Sequence, residues 1–275
     1  IGRLALKNRL IMAPMGTNFS TSDGLSTERD RLYYELRAEG GVAAIVTEAM
    51  AVSAGGRAHN NSLWIYHDRF IPGLARLVAA IKRHDCLTIG QLNHRVLNME
   101  PVGPSPWRNP NTGDAVRPLD KAEIREIQRD FVDSARRLRQ AGYDAVELHA
   151  ANGYLFQQFF TRRINQRTDE YGGSLENRAR LLIETVHRLR DALPDFPLWV
   201  RISCTEYCED GYGTEEIVAL AQMLEAAGVE ALDLSGGTNE SPALSRFCIQ
   251  PPSMPRRVLE PHARPIKAAV GIPTI

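Results

Sequence analysis

An α/β fold built on a parallel sheet is predicted by three observations. Short apolar runs alternate with longer amphipathic stretches, the pattern of strands joined by crossover helices. The apolar runs are rich in Val, Ile and Leu, as strands covered on both faces require. Glycines recur where a helix would hand over to the next strand, at Gly40-Gly41, Gly142 and Gly228.

Strands are expected at 10–15, 42–47, 88–92, 145–148, 198–203 and 231–235, and a last one opens at Pro273. The stretch 100–118, rich in Pro and Asn, reads as the longest loop and as a substrate cover. After it, Ile124, Ile127, Phe131 and Leu138 return to one face of a helix. That helix opens on a capping box, Asp120 with Glu123, and on a hydrophobic staple of Leu119 with Ile124. Leu175, Ala179, Leu182, Val186, Leu189 and Leu193 trace the next helix, with Ser174 as its cap, and Thr214 is expected to cap the one following. Seven strands of this kind fall one short of a TIM (β/α)8 barrel. The expectation is therefore a single domain over 1–275, a barrel whose C-terminal strand and phosphate-binding loops are missing from this sequence.

Composition narrows the function classes. Lys plus Arg equals Asp plus Glu at 33 each, without the basic excess of a nucleic-acid surface. No apolar run approaches the roughly 20 residues needed to cross a bilayer, and the first residues read as strand rather than as a secretion signal. The 4 cysteines are too few and scattered for a disulfide scaffold, so reduced thiols and a cytoplasmic location are expected. Cys204 and Cys208 have no ligand spaced to complete a metal site, and no metal is expected.

In barrels of this class, catalytic groups sit at the C-terminal ends of strands. His149 ends one strand, on the same face as Glu147 and Ala145, and Asn152 follows three residues later. An imidazole N–H and a carboxamide N–H can both donate to one oxygen and stabilise charge developing there. A buried histidine and a turn asparagine satisfied by backbone are the ordinary alternative. Tyr154 is either a proton donor or a core aromatic. Gln91 ends another strand, where its amide can donate and accept at once, with Asn93 and His94 as weaker candidates beside it. Arg201 lies inside the expected barrel and needs a partner, for which Glu147 is the structural candidate.

The run His149-Ala-Ala-Asn152-Gly-Tyr154-Leu, followed by the block from Asn165 to Arg178 that reads NQRTDEYGGSLENR, resembles the signature of the Old Yellow Enzyme family of NADH:flavin oxidoreductases. The likeness runs from LKNRLIMAPM to AVGIPTI and is closest in look to bacterial 2-enoate and 2,4-dienoyl-CoA reductases. It implies a barrel that holds FMN non-covalently, takes electrons from NADH or NADPH, and reduces the C=C bond of a small α,β-unsaturated carbonyl compound. It also implies that His149 and Asn152 grip the carbonyl oxygen and that Tyr154 donates the proton. Pro14, Met15, Gly16, Ala49, Gln91 and Arg201 match positions that contact flavin, although plain packing also accounts for Ala49. Many relatives carry Thr or Cys where this chain has Gly16, which leaves redox tuning to Thr17 or a backbone N–H. Within the same resemblance stand amine dehydrogenation or demethylation, dienoyl-CoA reduction, and an inert flavin-binding module. Oligomeric state is left open. The block 167–178 is expected to be architectural.

Overall fold

A computed structural model describes residues 1–54, 60–94, 101–110 and 113–275. In chain order, its strands are β1 (Ile11–Met12), β2 (Ala44–Ala51), β3 (Leu87–Asn93), β4 (Val102–Gly103), β5 (Trp107–Arg108), β6 (Ala115–Pro118), β7 (Ala145–Ala150), β8 (Leu198–Ser203) and β9 (Ala231–Ser235). Six of them form one parallel sheet in the order β1-β2-β3-β7-β8-β9. Thr274 bridges to Leu232, so the next strand position begins beside β9, where Pro273 was expected to open it. The connecting helices are α1 (Glu28–Glu39), α2 (Ile71–Lys82), α3 (Lys121–Gln140), α5 (Leu175–Ala192), α6 (Thr214–Ala226) and α8 (Glu260–Ala269). Two short ones, α4 (Leu155–Phe160) and α7 (Pro242–Ser245), sit just after β7 and β9. This is the curled sheet of an α/β barrel.

Strand alternation divides the side chains into two cores. Toward the helices, Phe131 and Leu138 of α3 and Leu182, Val186 and Leu189 of α5 pack against the sheet in one large cluster. Inside the curl, Ala44, Val46, Ile89, Ala145, Trp199 and Ala231 form a second cluster, with Ile1, Leu4, Leu6, Ile11 and Ile275 packed against it. This apolar plug fills the N-terminal end of the curl. The next inward-facing residues, two further along β3, β7, β8 and β9, are Gln91, Glu147, Arg201 and Asp233. A polar layer thus rests directly on the plug.

The helix signals formed largely as read. The Asp120 carboxylate accepts from the Ala122 and Glu123 N–H groups at 2.7 and 2.8 Å, and the Glu123 carboxylate accepts from the Asp120 N–H at 2.8 Å. Leu119 and Ile124 are buried in the same cluster, and the Ser174 hydroxyl accepts from the Asn177 N–H at 3.3 Å. The chain turns through left-handed glycines at Gly41, Gly142 and Gly228, with φ of 97°, 89° and 92°.

Two expectations are corrected. Thr214 does not cap α6: Gly213 holds the extended cap position and the Glu216 carboxylate folds back onto its N–H at 3.2 Å, which leaves Thr214 as the first helical residue. The stretch 100–118 is not a structureless loop, because β4, β6 and β5 pair there as a small three-stranded sheet. Strands two to four residues long, broken by prolines, carry no readable period. The Arg167 guanidinium roots this sheet by donating to the carbonyls of Pro104 at 3.0 Å and Leu119 at 2.7 Å. Glu100 and residues 111–112 lie outside the described residues. Among the described residues, no helix is long and apolar enough to cross a membrane.

Trp199 is fully buried in the plug beneath the polar layer. Trp199→Ala should lower unfolding stability by about 3–5 kcal/mol, the usual loss for a large aromatic removed from a packed core. Urea denaturation measures this, and an unchanged midpoint would contradict the plug's role.

Candidate active site

A cavity of about 580 Å³ opens at the C-terminal ends of the strands. Pro14, Met15, Gly16, Ala49, Gln91, His149, Asn152, Tyr154 and Arg201 all line it. Asn93 and His94 are buried but do not line it. Ala13, Asn239, Ser245, Arg246, Cys248 and Ile249 complete the wall. Most of these additional residues come from the segment after β9, which carries no recognisable motif. Its position after a barrel strand was the one signal that could have found it. The segment is held by the Arg163 guanidinium, which donates to Glu240 at 2.6 Å, and by Phe247 stacked on Tyr207 with ring centroids 3.7 Å apart.

Sequence makes the turn after β7 sharp. Asn152 and Gly153 both adopt left-handed backbone, at φ 59° and 82°. Asparagine and glycine tolerate that region best. Gly153 is also required sterically, since a Cβ there would meet Thr238 Oγ1 at 2.7 Å and the Asn239 backbone N at 3.1 Å. The reversal brings Tyr154 back beside His149, with ring centroids 4.4 Å apart. Asn152 is anchored more firmly than its sequence position suggests. Its Nδ2 donates to Ser235 Oγ and to the Gly236 carbonyl, both at 3.0 Å, so both amide hydrogens are engaged. His149 Nδ1, by contrast, is buried without a hydrogen-bond partner among the described residues. Burial, assisted by the nearby Arg201 charge, holds the His149 pKa well below the ordinary imidazole value, so the ring is neutral.

Arg201 does not pair with Glu147. Register places Asp233 opposite Arg201 on β9, and the two form a buried ion pair, with Arg201 also donating to Ser235 Oγ at 3.2 Å. Glu147 lies opposite Gln91 and Trp199 instead, and accepts from Gln91 Nε2 at 2.8 Å. Burial, reinforced by the Asp233 charge, pushes the Glu147 carboxyl up to about 8. For Arg201, burial works against the charged form, but the charges of Asp233 and Glu147 outweigh it and keep the guanidinium protonated.

The register of β2 against β3 shifts between Thr47 and Met50. Such a bulge re-aims side chains. Ala49 turns to the cavity, while Glu48 turns aside and its carboxylate accepts from the Thr17 N–H at 2.8 Å. The Thr17 hydroxyl donates within the same group, 3.3 Å from both Glu48 and Asp30. Thr17 is therefore committed away from the cavity and does not replace the side chain that Gly16 lacks. Burial is the main reason the Glu48 carboxyl is pushed up to about 7.

Residues 1–239 match the model of the NADH:flavin oxidoreductase / NADH oxidase family, and the chain belongs to that family, the one that includes Old Yellow Enzyme. It is 36% identical over 286 residues to an NADH oxidase of Thermoanaerobacter brockii, covering 100% of this chain and 43% of that protein. It is 38% identical over 242 residues to an NADPH dehydrogenase of Bacillus cytotoxicus, covering 86% of this chain and 70% of the relative. An Old Yellow Enzyme homologue from Zymomonas mobilis superposes with a TM-score of 0.82 at 27% identity, over 100% of this chain and 86% of that one. The chain spans less than half the length of the NADH oxidase that it matches.

The cofactors of this family are FMN and a reduced nicotinamide nucleotide, and the cavity suits a flavin ring. Its volume lies within the roughly 300–1,000 Å³ typical of ligand pockets. One wall is apolar, from Ala13 to Gly16 with Ala49. The unpartnered His149 Nδ1, the Gln91 amide and the Arg201 guanidinium supply polar edges.

Asp233→Ala should destabilise the fold by about 3–5 kcal/mol, because it leaves the Arg201 charge buried without a partner. Chemical denaturation reads the loss directly. Glu48 generates a pH-dependent expectation. Its folded pKa of about 7 exceeds the ordinary 4.5, so folding favours the protonated acid. That stabilisation is complete below pH 4.5 and is lost as pH rises through 7. Relative to Glu48→Gln, the parent should weaken across this window by about 3 kcal/mol. Paired melts at pH 4 and pH 8 should therefore diverge, and parallel profiles would refute the assignment.

Proposed function

We propose that this chain forms the flavin site of an FMN-dependent ene reductase that uses NADH or NADPH to saturate the C=C bond of a small α,β-unsaturated carbonyl compound. The juxtaposition of neutral His149 and Tyr154, in a cavity whose other edges are Gln91 and Arg201, carries this reading. When bound, the flavin supplies two-electron chemistry, accepting hydride equivalents from the nicotinamide and passing them to the alkene.

The chain's own residues orient and polarise. His149, kept neutral by burial, offers an N–H to the carbonyl oxygen and draws electron density from the conjugated bond. Asn152 adds a second donor when one amide hydrogen exchanges the Gly236 carbonyl for the substrate oxygen. Tyr154 holds the proton destined for the α-carbon, the task of a general acid placed beside the reacting bond. The Arg201 charge, fixed by Asp233, favours negative charge on whatever lies against it. The wall from Pro14 to Gly16, with Ala49, keeps water from one face of the cavity.

The direct test is anaerobic absorption spectroscopy of the purified protein. Yellow protein should bleach on NADPH or NADH and regain colour when cyclohexenone is added. Bleaching by an amine with indifference to enones would favour amine oxidation instead, and bleaching with indifference to both would favour the inert module. Tyr154→Phe should accept electrons from nicotinamide at the parental rate yet reduce the enone about 100-fold more slowly, within the usual range for a general acid. Unchanged enone turnover in stopped-flow traces would remove Tyr154 from the proton-donating role.

A further inference from the structure

We propose that Glu147 is a positioning residue that turns the Gln91 carbonyl into the cavity, so that the site selects a ring presenting an N–H at that edge. This role rests on the flavin reading above and adds to it a residue that contacts no ligand itself.

The argument begins with register. Parallel pairing of β3 and β7 sets Gln91 opposite Glu147, and the Gln91 Nε2 donates to Glu147 Oε1 at 2.8 Å. A glutamine amide has a donating end and an accepting end, and fixing one fixes the other. With one Nε2 hydrogen donated to Glu147, the amide cannot turn over, and its carbonyl end is left for the cavity that the side chain lines. Among the described residues, the bond to Glu147 is the hydrogen bond that the Gln91 side chain makes.

Glu147 is free to do this because Arg201 is not its partner. Asp233 takes the guanidinium, and among the described residues Glu147 Oε2 has no hydrogen-bond partner. The burial that keeps the Glu147 pKa high does not undo the arrangement. A proton on Oε2 leaves the Oε1 lone pairs available to Gln91. An inward-facing carbonyl repels a ring C=O and rewards an N–H, and the imide N–H of a flavin has that character. Glutamine alone, free to turn over, would accept either.

Fluorescence titration of the flavin-free full chain with FMN and with N3-methyl-FMN, which lacks the imide hydrogen, tests the proposal. The parent should bind the methylated flavin more weakly by on the order of tenfold or more, since the analogue leaves the carbonyl unpaired. In Glu147→Met, which has similar length and no comparable acceptor, Gln91 can turn and the ratio should fall toward one. Glu147→Gln retains an accepting carbonyl and should recover part of the discrimination, which a merely structural role would not produce. Equal discrimination in parent and Glu147→Met would overturn the role of Glu147 while leaving the flavin site intact. Parity between the two flavins in the parent would overturn it without any variant, even if Glu147→Met failed to fold. A parent that bound neither flavin would remove the flavin reading and this role together.

Discussion

The Arg201–Asp233 ion pair is the constraint on which the cavity floor depends. A guanidinium inside a curled parallel sheet is tolerated only when an opposite charge is held in place for it. The pairing of β8 with β9 supplies that charge directly across from it. Once Arg201 is satisfied, Glu147 is released to Gln91, and Ser235 is shared between Arg201 and Asn152. One ion pair therefore organises side chains from β3, β7 and β9. The apolar plug below, centred on Trp199, excludes water and strengthens every polar contact above it.

The same logic separates His149 from its surroundings. It stands one step above the charged layer, close enough to Arg201 for the positive charge to disfavour protonation. Its neutrality is thus a product of the floor as well as of burial. The bulge in β2 performs a related separation on the other side. It sends the acidic Glu48 to Thr17 and Asp30 and gives the cavity only the methyl group of Ala49. Without that shift of register, alternation from Ala44 and Val46 would aim Glu48 inward.

Much of this was legible in the residues. β8 and β9 occupy the expected positions because each is a buried apolar run between clear turns. β2 runs past its expected end because Glu48 interrupts the apolar pattern without ending the pairing. The nine selected residues meet in one cavity because strand ends and the turn after β7 carry local signals. What stayed hidden depends on register and on long-range pairing. Asp233 as the partner of Arg201 requires knowing how β8 meets β9, and the fate of Thr17 requires knowing where the bulge sends Glu48. The segment around Arg246 and Cys248 has no period or motif, and it reaches the cavity only because Arg163 and Tyr207 hold it there.

The left-handed pair Asn152-Gly153 also decides where this scaffold can be remodelled. The Gly153 backbone lies so close to Thr238 and Asn239 that the loops after β7 and β9 are seated against each other. A library randomising positions 152 and 153 would mostly yield misfolded chains. Arg246 and Ile249 are exposed and line the same cavity, so diversity placed there would reshape the entrance without disturbing the hinge of the two loops. For anyone seeking to change substrate range by directed evolution, the tolerant wall is the one after β9, and the turn after β7 is best left unmutated.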